Sequence, residues 1–100
     1  VQRNEMIACM NEVIERLHGD GALVGTHCCG NTDWTILIDA GVDIVNFDAF
    51  GFGETIAMYP EAVKAHLERG GVLAWGIVPT SAEIRKQTVE TLVEYFEKTI

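Results

Sequence analysis

Basic side chains are scarce in this chain. Lys and Arg together number 7 against 15 Asp and Glu, for a formal net charge of −8. The seven are scattered along the sequence, so there is no cationic cluster to neutralise phosphates, and nucleic acid is excluded as a partner. Long apolar runs are missing too. None approaches the roughly 20 residues a membrane span requires, so no membrane partner is expected. The opening Val1-Gln2-Arg3-Asn4-Glu5 lacks the basic-then-apolar pattern of a secretory signal. It also lacks an initiator Met, which leads us to expect a piece of something longer. Cysteine occurs at three positions, Cys9, Cys28 and Cys29. An odd count with an adjacent pair is a poor disulfide framework. Without a secretion signal the expected compartment is the reducing cytoplasm, where Cys beside His points to metal or thiol chemistry.

What is present is apolar material in a regular pattern. The chain has 100 residues, 48% of them hydrophobic, enough for the core of one domain. Met6, Ile7, Met10, Val13, Ile14 and Leu17 recur at helical spacing, predicting a helix over 2–18 that Gly19 and Gly21 end. Residues 22–26 read as a short buried strand. A helix over 33–40 follows, capped by Asn31 or Thr32 and closed by Gly41. Residues 43–48 read as a second strand and 50–53 as a Gly-rich turn. Pro60 opens another helix, ended by Gly70-Gly71. A third strand spans 72–78 and stops at Pro79. Thr80 and Glu83 have capping-box spacing, and Ile84, Thr88, Leu92, Tyr95 and Phe96 share a face of the last helix.

The order is α-βα-βα-βα: one α/β domain over 1–100 with a parallel sheet. Three βα units with a leading helix are fewer than the eight of a closed (β/α)8 barrel. The fold is therefore either a small open sheet or an incomplete part of a TIM barrel.

In parallel α/β folds the site lies where strands end. Three segments qualify: 27–32, 48–53 and 75–80. Side chains alternate along a strand, so His27 and Cys29 share one face while Cys28 turns the other way with Val24 and Thr26. His-x-Cys at a strand end is half of a site for zinc, which suits imidazole with thiolate and needs further ligands. The alternative is a hydrogen-bonded histidine beside two buried small hydrophobes. Asn46 and Asp48 share a face opposite Val45 and Phe47, and buried polar groups need partners. Asp48 qualifies as a metal ligand, a general base or an acceptor for substrate; it also qualifies as a plain turn cap. Ala74 and Gly76 leave room on one face, as the floor of a pocket does, whereas Trp34 and Trp75 read as packing. Gly51-Phe52-Gly53-Glu54-Thr55-Ile56 lacks the third glycine of a dinucleotide fingerprint, which argues against nucleotide binding.

His27-Cys28-Cys29-Gly30-Asn31-Thr32-Asp33-Trp34 resembles the His-x-Cys-Gly-Asn segment of the cobalamin-independent methionine synthase and uroporphyrinogen decarboxylase superfamily. Residues 42–48 resemble the strand that follows it, and 70–80 the strand after that. The resemblance covers about eighty residues from Ala22 on. It implies the C-terminal part of a TIM barrel and a zinc-dependent methyl transfer to a thiol, with a small-molecule thiol and a methyl donor as partners. By position it implies His27, Cys29 and Asp48 as metal ligands, Asp48 also as a catalytic or substrate-orienting carboxylate, and Asn31, Thr32 and Gly76 as substrate-side residues. Three departures stand out. Asp48 replaces the usual Glu, Gly76 occupies the place of a catalytic His, and the family's last-strand Cys would lie beyond Ile100. A methyl-corrinoid donor is as compatible as methyltetrahydrofolate. A metal-free decarboxylase-like relative also stays open, as does an inactive fragment that pairs with copies of itself into a homo-oligomer.

Overall fold

Strand β2, Ile44–Asp48, is the centre of the molecule. Its alternation is the reason: Val45 and Phe47 are fully buried on one side, while Asn46 and Asp48 face the other. On either flank lie β1, Gly25–Cys28, and β3, Val72–Gly76, both parallel to it. The computed structural model describes residues 2–30 and 32–99. Asn31 lies outside them. Around the sheet the helices are α1 (Arg3–Gly19), α2 (Trp34–Ala40), α3 (Ala49–Ile56), α4 (Pro60–Glu68) and α5 (Val89–Thr99), with a short 3-10 turn at Ala82–Lys86. The α/β class with parallel βα units is as the sequence leads one to expect. Among the described residues no helix is long and apolar enough to cross a membrane.

The core sits on the Val45–Phe47 side of the sheet. Trp34, Ile38, Ala40, Val42 and Ala49 join those two there, with Ile14 from α1 and Ile56 from α3. Phe47 meets Trp34 and Trp75 edge to face, at centroid distances of 5.9 and 4.8 Å. Both tryptophans are thus packing groups. Trp34 also donates its indole N–H to Thr55 Oγ1 at 3.0 Å.

Several sequence expectations need correction. Strand β1 starts at Gly25 and continues through His27 and Cys28, because the approach to it is held differently. Asp43 accepts the Val24 amide, and the Val24 carbonyl accepts from the Asp43 and Ile44 amides, which delays strand pairing to Gly25. Residues 50–53 are helical rather than a turn, since the Asp48 carboxylate caps the Gly51 amide at 2.9 Å and starts α3. The expected final helix is divided. Ser81, not Thr80, caps the 3-10 turn, and α5 begins afresh where the Thr88 and Thr91 amides each donate to the other's hydroxyl oxygen. Ile84 therefore lies outside α5 and is exposed. On α1 only Ile14 is buried; Val13 remains 60% exposed, because nothing among the described residues covers that side of the helix.

At the opposite end from the strand C-termini, Asp43 Oδ2 lies 2.7 Å from His18 Nε2 and 2.8 Å from the Val24 amide. The His18 hydrogen bond and then the Val24 amide hold its carboxyl below the ordinary value of 3.8, against a smaller opposing effect of desolvation. A depressed folded value means that the stabilisation is complete above about 3.8 and is lost as pH falls through the lower folded value. Melting of wild type and Asp43→Asn from pH 6 to pH 2 should therefore show the largest gap above that value and a closing gap below it. A gap that stays constant across the range would refute the linkage.

Candidate functional site at the strand ends

A cleft of about 240 Å³ opens where the three strands end. Its walls are His27, Cys29, Asn46, Phe47, Asp48, Gly76, Val78 and Thr80. Parallel register brings them there. His27 pairs with Asn46 and Asn46 with Ala74, while Asp48 pairs with Gly76 one step closer to the rim. The residues meet because each strand puts alternate side chains on the face turned away from the hydrophobic core.

Hydrogen bonding along this face fixes the imidazole. The Asn46 amide nitrogen donates to the Ala74 carbonyl at 2.9 Å. The amide oxygen is then turned to the other side, where it can accept. His27 Nδ1 lies 2.5 Å from that oxygen, so Nδ1 is the nitrogen that carries the hydrogen, and in the neutral ring Nε2 has the lone pair. An imidazole whose far nitrogen is tethered in this way is the usual state of a metal-bound or acid–base histidine. The strand pattern puts Asn46 on this face but gives it no role; its role depends on the carbonyl of the next strand. Val78 and Thr80 fall within the expected segment 75–80, but the sequence gives neither a role in the cleft.

Cys29 follows the end of β1 and is an exposed free thiol on the same rim as His27. Cys28 is half-buried and packs against the core, as alternation requires. Cys9 lies elsewhere, in an apolar groove between α1 and the start of β1. Asp48 stands in the cleft wall, but one of its oxygens is committed to the Gly51 amide. The turn-cap role and the cleft position are therefore both real. Thr32 is half-buried and is not part of the cleft wall. Gly76 is in the wall for a second reason besides space. A Cβ there would sit 2.7 Å from the Phe47 carbonyl oxygen, so the close approach of β3 to β2 itself demands glycine.

These donors meet zinc in part. Imidazole and thiol are the right chemical types, and the His27 tautomer presents the correct nitrogen. Among the described residues, however, no three His, Cys, Asp or Glu side chains are gathered to hold a metal ion. The arrangement places an imidazole, a thiol and a carboxylate in the wall of one cleft. His66 plays no part in it. That residue is fully buried on α4, with Nε2 3.1 Å from the Val72 carbonyl oxygen, near the N-terminal end of β3.

No protein-family model, no curated protein and no solved structure matches this chain.

Proposed function

We propose that this cleft is part of the metal-binding site of a cytoplasmic, zinc-dependent methyltransferase that moves a methyl group to a small-molecule thiol. In this reading the three βα units belong to a TIM barrel resembling the cobalamin-independent methionine synthases and uroporphyrinogen decarboxylases. One observation carries the proposal. His27, with Nδ1 tethered by the Asn46 amide oxygen, shares a rim with the free thiol of Cys29.

His27 and Cys29 would hold the ion, and the remaining ligands would come from Asp48 and from outside the described residues. Zinc, when bound, supplies one thing: it lowers the pKa of a coordinated substrate thiol so that a thiolate exists at neutral pH. The protein residues do the rest. Asn46 holds the imidazole in its ligating tautomer. Asp48 orients substrate or completes the coordination if its cap to Gly51 opens. The bare Cα of Gly76 keeps the floor of the cleft low. The methyl donor is a methyl-corrinoid or methyltetrahydrofolate. The exposed Val13 and Leu23 fit a surface that further strands, or a second copy of the chain, would cover.

A second reading, a metal-free decarboxylase-like cleft, is favoured by the capped state of Asp48. Cobalt separates the two. Titration of the metal-free protein with Co2+ should give about one equivalent bound and a near-ultraviolet thiolate-to-cobalt band. Absence of that band would overturn the zinc proposal and leave the metal-free cleft.

A further inference from the structure

Helix α5 reaches the corner that carries Asp48, although it is far away in sequence. The Tyr95 hydroxyl lies 2.8 Å from the Phe50 carbonyl oxygen and 3.2 Å from that of Ala49. Both carbonyls belong to the first turn of α3, immediately after Asp48. In an unbroken helix they would accept from amides four residues on. Here Phe52 departs from helical geometry, with φ −133° and ψ 20°, and the helix is kinked at that point. Tyr95 supplies a donor to the two carbonyls from across the fold, and its single hydroxyl hydrogen favours the nearer oxygen, that of Phe50. The rings of Phe50 and Tyr95 lie 5.1 Å apart, which holds the hydroxyl over the turn.

From this geometry we infer that Tyr95 is a positioning residue for the Asp48 carboxylate. The chain of contacts is short. Tyr95 fixes the Phe50 carbonyl; the peptide so fixed aims the Gly51 amide; that amide binds Asp48 Oδ1 at 2.9 Å and sets how the carboxylate stands in the cleft wall. Gly51 leaves little slack, since a Cβ there would lie 2.9 Å from Asp48 Oδ2. The cleft residue on β2 is thus held in place by the last helix, through a hydroxyl that is not part of the cleft wall. The importance of Asp48 to the cleft rests on the function proposed above; the link from Tyr95 to Asp48 does not.

Tyr95→Phe keeps the ring stacking and removes only the hydroxyl, so it is the variant to test. In the metal-free full chain, hydrogen exchange of the Gly51 amide should accelerate about 2- to 10-fold, the size of one net hydrogen bond. The Val45 amide, in the central strand, serves as the control and should be unchanged. Unchanged exchange at Gly51, or equal acceleration at Val45, would overturn the inference. In the metal arm, Tyr95→Phe should weaken Co2+ binding by a similar factor in the wild-type background and have no effect on top of Asp48→Asn. An equal loss in both backgrounds would mean a general structural role and would also overturn it. If wild type binds no Co2+, the zinc proposal fails, and exchange at Gly51 still decides the role of Tyr95.

Discussion

Cys29→Ser and His27→Ala should each weaken zinc or cobalt binding by more than the 10- to 100-fold that loss of an outer hydrogen-bond partner costs, about the limit set by Asn46→Ala. The ordering follows from the geometry. Cys29 and His27 present the donor atoms at the rim, whereas Asn46 acts on the imidazole through Nδ1. Without the Asn46 oxygen the imidazole is free to rotate and to take its other tautomer, so affinity falls but ligation survives. Without the thiol or the imidazole, half of the donor pair is gone. Cys28→Ser is the internal control. Its sulfur turns toward the core beside Phe47, not into the cleft, so metal affinity should stay within a few-fold of wild type while stability drops modestly. Competition against a chelator of known affinity ranks all four variants. A ranking in which Cys28 matters as much as Cys29 would mean that the metal sits on the other face of β1, and the cleft would lose its assignment.

Period-two alternation makes most of the cleft wall readable from sequence. His27, Cys29, Asn46, Asp48 and Gly76 are assigned to one side of the sheet by counting along three strands, and all five line the cleft. Alternation is a local property, so it survives errors in strand boundaries such as the late start of β1. Whatever depends on contacts between distant segments is hidden from such counting. The Asn46 amide is oriented by the Ala74 carbonyl, 28 residues away, and only the parallel register of β2 with β3 brings the two together. Gly76 reads as empty space in a pocket floor. That the Phe47 carbonyl excludes a side chain there is a property of the same register. Helix α3 escapes notice because its two glycines signal a turn. The cap from Asp48 and the hydroxyl of Tyr95 outweigh that weak local preference.

Phe47→Ala should cost about 3–5 kcal/mol of folding stability. The ring is fully buried in the central strand, and it bridges Trp34 from α2 and Trp75 from β3 in two edge-to-face contacts. Its removal takes away burial and leaves a cavity between two large aromatics that cannot both collapse into it. A domain of this size has roughly 5–15 kcal/mol in total, so the loss is a large share of what holds it folded. At about 4–8 °C per kcal/mol, the melting midpoint should drop by more than about 12 °C. Phe52→Ala provides the contrast. That ring is 36% exposed at the kink of α3, and its loss should cost under about 1 kcal/mol. The damage at Phe47 should also reach the cleft. Asn46 and Asp48 flank it on the same strand, and its backbone oxygen lies against Gly76. Sub-denaturing urea should therefore abolish cobalt binding in Phe47→Ala at concentrations that leave the wild-type cleft intact. Denaturation followed by tryptophan fluorescence measures the stability change directly, since Trp34 is fully buried in the native state. An unfolding free energy for Phe47→Ala within about 1 kcal/mol of wild type would mean that the aromatic cluster is not the keystone of this sheet.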